Sequence, residues 1–114
     1  MDKCHSCSGA QGSNAASLPP EQDAAALAEL FRLMGCQSRL KILLALDAGE
    51  LCAGHLAEAV GMAPSAVSNQ LRALRQARLI NVRREGKMLF YSLAACHPKE
   101  IIHLAMSHIH EDNN

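Results

Sequence analysis

"LCAGHLAEAVGMAPSAVSNQLRALRQARL", Leu51 to Leu79, decides how the rest of this 114-residue chain is read. Two short apolar-periodic stretches flank a tight corner. Ala57 is small where two helices would cross closely, and Gly61 follows four residues later, where the chain must turn and a positive φ is expected. Pro64 suits the first turn of a second helix whose buried stripe is Val67, Leu71 and Leu74. Ala63 stands where a Ser or Thr cap usually precedes such a proline. The pattern is that of a helix-turn-helix.

Moving outward, "LINVRREGKMLFYSL" (Leu79 to Leu93) places two β-prone runs around Glu85-Gly86, and Gly86 supplies the positive φ of a tight hairpin. A hairpin directly after a helix-turn-helix is a wing, and its tip carries Arg83, Arg84 and Lys87. Upstream, Leu27, Leu30, Phe31 and Met34 recur at i, i+3, i+4, i+7, so Glu21 to Met34 is predicted as an amphipathic helix ended by Gly35. A second helix, about Ser38 to Leu46, buries Leu40, Leu43 and Leu44 or their neighbours, and "DAGE" (Asp47 to Glu50) reads as a turn. A last helix, about Pro98 to His110, has Ile102, Ala105, Met106 and Ile109 as its stripe. The expected fold is mainly α: a winged helix-turn-helix of four helices, a β-hairpin wing and a C-terminal dimerisation helix. Residues 1–20, rich in Gly, Ser, Ala, Asn and Pro, read as a flexible arm, and 21–112 as the DNA-binding and dimerisation domain.

The net formal charge is zero but unevenly spread. From Pro64 to Lys87, Arg72, Arg75, Arg78, Arg83, Arg84 and Lys87 face Glu85 alone, whereas from Glu21 to Val60 acids outnumber bases six to three. A basic third that coincides with a helix-turn-helix points to nucleic acid. The start of the second motif helix leaves Ser65, Ser68, Asn69, Gln70 and Arg72 facing outward, and its Ser, Asn and Gln side chains can both donate to and accept from base edges. Arg72, Arg75, Arg78, Arg83, Arg84 and Lys87 suit phosphates. Phe31, Phe90 and Tyr91, the only aromatics, are too few to stack single-stranded bases. Double-stranded DNA is the expected partner, read by a homodimer whose surface is the first and last helices.

"CHPKEIIHLAMSHIHED" (Cys96 to Asp112) holds four of the six histidines. His97 and His108 are eleven residues apart, nearly on one helical face but roughly 16 Å apart along the axis. One helix cannot bring both to one ion. Two antiparallel copies across a dimer axis can, with Glu111 three residues beyond His108 joining them. Imidazole and carboxylate suit Zn(II), with Co(II) or Ni(II) as further options. His103 and His110, seven apart on another face, are read as either solvent-exposed or additions to the set.

The segment "ELCAGHLAEAVGMAPSAVSNQLRALRQARLINVRREGKMLFYSL" resembles the winged-helix core of the ArsR/SmtB metal-sensing repressors, and "LMGCQSRLKILLAL" (Leu33 to Leu46) resembles that family's preceding helix. The resemblance covers roughly Leu27 to Glu111 and is strongest to the zinc-sensing branch. It implies a dimeric repressor that leaves its operator when metal binds between the paired C-terminal helices. The branch's ligand pattern, Asp-x-His and then His and Glu or His from the partner, falls here on His97, His108 and Glu111. Ala95 stands at the aspartate position, leaving Cys96, His110 or water for the gap. A second family site joins cysteines of the N-terminal arm to "ELCxCDL". Here "ELCAGHL" keeps Cys52, followed by Gly54 and His55, and the arm offers Cys4 and Cys7. Those three thiols outline a Cd(II) or Pb(II) site, and the paired cysteines of the arsenite-sensing branch are absent.

Two other functions compete. One is a repressor triggered by oxidation of Cys4, Cys7, Cys36, Cys52 or Cys96, which requires an exposed thiol of low pKa; Cys36 itself reads as a small buried residue. The other is a metal buffer whose helix-turn-helix is only a scaffold, which the clustered basic wing argues against. No Ser-His-acid or Cys-His arrangement at interpretable spacing points to an enzyme. No apolar run reaches membrane-span length and no signal-peptide stretch opens the chain, so a cytoplasmic protein without a membrane partner is expected.

Overall fold

The computed structural model describes residues 17–94 and 97–112, the side chain of Asp112 excepted. The arm with Cys4 and Cys7 lies almost wholly outside the described residues, as do Ala95 and Cys96. The chain divides into two compact units between Phe31 and Arg32.

The first unit holds most of α1 (Glu21–Met34). Pro20 offers its carbonyl to the amides of Asp23 and Ala24 at 3.0 and 3.1 Å, and Glu21 and Asp23 in the first turn complement the helix dipole.

The second unit begins with the end of α1, where Met34 is buried and Gly35 returns its amide to Arg32. It continues through α2 (Gln37–Asp47), β1 (Leu51–Cys52), α3 (Ala53–Val60), α4 (Pro64–Gln76), β2 (Ile80–Glu85), β3 (Met88–Leu93) and α5 (His97–Asp112). In α2 the buried residues are Ile42, Leu43 and Leu46, whereas Leu40 is half-buried and Leu44 is exposed. Only Leu43 of the three residues expected inside is fully buried. The run "LKILLAL" is apolar on more than one face, so its periodicity does not fix which face turns inward.

The corner of the helix-turn-helix is a Schellman cap. Gly61 adopts φ 71° and ψ 38°, its amide reaching the carbonyls of Ala57 and Glu58, while the Met62 amide reaches Ala57 at 3.1 Å. Ala63 caps α4 with no side-chain bond, and Pro64 occupies the first turn, where a missing N–H costs nothing. Val67, Leu71 and Leu74 are buried as the spacing requires. The helix closes at Arg78, a non-glycine residue at φ 62°, with the Leu79 amide bonded back to Leu74. A side chain in that conformation costs about 1–2 kcal/mol.

The wing is longer at its root than a hairpin. β2 and β3 pair antiparallel from Ile80↔Leu93 to Glu85↔Met88, and Gly86 turns between them at φ 64°. β1 adds a third strand on the other edge of β3, with Leu51↔Tyr91 and Cys52↔Phe90, giving the order β1-β3-β2. Its two residues carry no signal of their own, because the pairing is made by β3. The core, from Ile42 and Leu43 through Leu56 and Val67 to Leu79 and Ile80, contains no buried polar or charged residue among those described. Among the described side chains of α5 only Pro98 and Ile102 are buried. No described helix is long and apolar enough to cross a membrane.

Candidate nucleic-acid interface and histidine helix

The exposed beginning of α4 presents Ser65, Ser68 and Asn69 to solvent. Gln70, expected beside them, is half-buried, and its Oε1 accepts a 2.7 Å hydrogen bond from Arg39 Nε on α2. That bond fixes the side chain and leaves its amide nitrogen to donate. Arg72 and Arg75 line an open groove of about 470 Å³ with Ser68, Leu71, Gln76 and Tyr91, where α4 faces the wing. Arg72 Nη1 makes a long 3.3 Å bond to Asn69 Oδ1, so both remain adjustable. Arg78 is exposed at the foot of α4, and Arg84 and Lys87 are exposed at the wing tip.

Arg83 has a different setting. Its Nε and Nη2 donate to both carboxylate oxygens of Glu50 at 2.7 and 2.9 Å, and its Nη1 donates to Glu85 at 2.8 Å. The guanidinium carbon also lies 4.9 Å from the centre of the Phe90 ring. Its hydrogen bonds, that to Glu50 first, push the Arg83 pKa up, and the same bond holds the Glu50 carboxyl below its ordinary 4.5. By sequence only Glu85 opposed the basic third; folding brings Glu50 to it from thirty-three residues away. The outward positive charge is therefore that of Arg72, Arg75, Arg78, Arg84 and Lys87.

On α5, His97, His108, His110 and Glu111 are all exposed. No three His, Cys, Asp or Glu among the described residues of one chain converge on a metal position. That agrees with the separation of His97 and His108 along one helix, roughly 16 Å. The donor chemistry, imidazole with carboxylate, fits a divalent ion of the zinc type. His103 is engaged elsewhere, its Nε2 donating to Asp47 Oδ2 at 2.7 Å, with Lys99 Nζ 3.2 Å from Asp47 Oδ1. These two partners, His103 foremost, hold the Asp47 carboxyl below its usual 3.8.

Among the thiols, Cys52 is buried and its Sγ lies 3.3 Å from His55 Nδ1. His55 was not singled out from sequence as a partner, although the C-x-x-H spacing was visible; the pair straddles the boundary between β1 and α3. Cys36 is half-exposed rather than buried, because it sits at the N-cap of α2 with its Sγ 3.2 Å from Ser38 Oγ. The Ser38 hydroxyl, then the Arg39 amide, lowers its pKa from the ordinary 9.0.

Residues 36–82 match the model for the bacterial regulatory protein arsR family. The chain is 40% identical over 87 residues to the transcriptional repressor SmtB homolog of Synechocystis, covering 76% of this chain and 66% of that protein. It is 41% identical over 101 residues to the HTH-type transcriptional regulator NmtR of Mycobacterium tuberculosis, covering 88% and 84%. The crystal structure of NolR from Sinorhizobium fredii is similar with a TM-score of 0.73 at 34% identity, covering 81% of this chain and 93% of that one. On these likenesses, and with a wing directly after the helix-turn-helix, the chain belongs to the ArsR/SmtB family of metal-sensing winged-helix transcriptional repressors, which are DNA-binding regulators and not enzymes.

Proposed function

We propose that this chain is a cytoplasmic homodimeric repressor that holds operator DNA through α4 and the wing and releases it when Zn(II) binds between paired α5 helices. The observation that carries the reading is the state of α5. Its His97, His108 and Glu111 are exposed on a helix whose apolar residues Met106 and Ile109 are exposed as well. A second copy of α5 covers those apolar residues and supplies His108 and Glu111 to the first copy's His97. Cys96 or His110 takes the position that Ala95 leaves empty of a ligand, and Co(II) or Ni(II) suits the same donors. Ser65, Ser68, Asn69 and Gln70 read bases; Arg72, Arg75, Arg84 and Lys87, with Arg83 shaping the wing, meet the backbone.

The test is fluorescence anisotropy of the reduced, metal-free protein on duplex DNA from upstream of its own gene, with and without one equivalent of Zn(II). Wild type binds and is released by zinc. His97→Ala and His108→Ala bind as wild type but stay bound when zinc is added. Release of either variant by zinc would show that the site lies elsewhere.

A second reading is favoured by the Cys52–His55 contact: a Cd(II) or Pb(II) site built from Cys4, Cys7 and Cys52, with His55 as a further donor. The same assay with Cd(II) separates the two. Under this reading Cys52→Ser loses the cadmium response and keeps any response to zinc.

A further inference from the structure

The turn "DAGE" between α2 and β1 has a carboxylate at each end, and the two reach in different directions. Asp47 takes a 2.7 Å hydrogen bond from His103 and lies 3.2 Å from Lys99, two α5 residues one turn apart. Glu50 takes a two-pronged bond from Arg83 on β2, and Arg83 in turn holds Glu85 and covers Phe90. Directly after the turn, β1 pairs with β3 at Tyr91 and Phe90 and runs into α3. One short segment is thus joined at its first residue to the histidine helix and at its last to the wing and the helix-turn-helix. None of these contacts is needed for the zinc ligands proposed above, and the Arg83 contact takes a charge away from DNA.

We propose that the Asp47–Glu50 turn carries the zinc response from α5 to the DNA-binding face, with Asp47 and Glu50 as positioning residues that touch neither metal nor DNA. The inference rests on the zinc reading above. A ligand shifts a conformational equilibrium only through interactions that differ between the two states. Clamping α5 to a partner helix fixes the direction from which His103 and Lys99 approach Asp47. A bond of 2.7 Å tolerates little misalignment, so a tilt of α5 that suits the metal either breaks the pair or draws Asp47 with it. Glu50, three residues on, passes that displacement to Arg83 and so to the wing. Surface ion pairs add little to stability, but coupling needs only that the pair be made in one state and lost in the other.

Coupling is reciprocal, so it can be read as the ratio of zinc affinities without and with saturating operator, by competition against a chromophoric chelator. In the wild-type dimer that ratio is expected in the usual allosteric range, roughly 5- to 150-fold. In D47N it is expected to fall to within about threefold of one, with the DNA-free zinc affinity held within about threefold of wild type. E50Q, which cuts the other end, lowers the ratio likewise. Should D47N fail to fold, as far-UV circular dichroism would show, H103A removes the same bond from the α5 side and gives the ratio instead. A wild-type ratio retained in these variants overturns the proposal. So does loss of DNA-free zinc affinity in D47N, since Asp47 would then belong to the metal site. A wild-type ratio of one overturns the zinc reading itself, and this inference with it.

Discussion

Helices α4 and α5 carry the same kind of apolar stripe and treat it in opposite ways. In α4, Val67, Leu71 and Leu74 are 0, 2 and 0% exposed, closed off by the rest of the same chain. In α5, Ile102 is 4% exposed, but Met106 and Ile109 are 39 and 53% exposed. A helix whose polar face is matched by an unburied apolar one is incomplete as a monomer element. The comparison separates two jobs. On the proposed reading, the DNA-reading helix is made rigid by its own chain and the histidine helix is completed by a second copy. A sensor needs that division, because a site shared between chains can change how the chains sit without unfolding either.

The contrast breaks first under mutation of the two stripes. Leu74→Ala removes a fully buried side chain and is expected to cost about 2–5 kcal/mol, read as a urea midpoint lowered at every protein concentration. A cost below 1 kcal/mol would mean that α4 is not held by its own chain as described. Ile109→Glu is the counterpart. It should leave far-UV circular dichroism unchanged, shift sedimentation of the metal-free protein towards the monomer, and weaken operator binding on the order of 10²-fold through lost bivalency. If Ile109→Glu stayed dimeric with normal operator affinity, the exposed stripe of α5 would not be the shared surface.

The same contrast explains what could be read from the sequence. The helix-turn-helix was legible because its determinants are local: the i, i+4, i+7 spacing of Val67, Leu71 and Leu74, the left-handed cap at Gly61, and the proline at Pro64. The hairpin was legible from Gly86 for the same reason. Hidden features depended on partners distant in sequence. β1 exists only because β3 passes beside it, and the inward face of α2 is chosen by its neighbours rather than by "LKILLAL". Arg39 with Gln70, Glu50 with Arg83 and Asp47 with His103 are pairs that span 31, 33 and 56 residues. Each changes the meaning of a residue named from sequence. Gln70 becomes a held side chain, Arg83 a clamped one, and His103 a donor to a carboxylate. The set of His97, His108 and Glu111 is a proposal whose geometry involves a second chain.

The smallest expected effect distinguishes neighbours. Arg83 and Arg84 are adjacent on β2 and equal in charge, so composition cannot tell them apart. Among the described residues Arg84 makes one long 3.3 Å bond, to the Gly86 carbonyl, and can swing to a phosphate, whereas Arg83 is balanced by two carboxylates and seated over Phe90. A phosphate contact releases counterions, and losing one makes the slope of log K against log salt shallower by roughly 0.9. Arg84→Ala should therefore flatten the slope by about that much per protomer while leaving the wing intact. Arg83→Ala should leave the slope near wild type and instead speed amide exchange along β2, because Glu50 no longer ties the strand to the turn after α2. Equal flattening by both variants would mean that DNA draws Arg83 away from Glu50 and Glu85. The wing would then be remodelled on binding, and the clamp would mark the free state of the protein rather than the bound one.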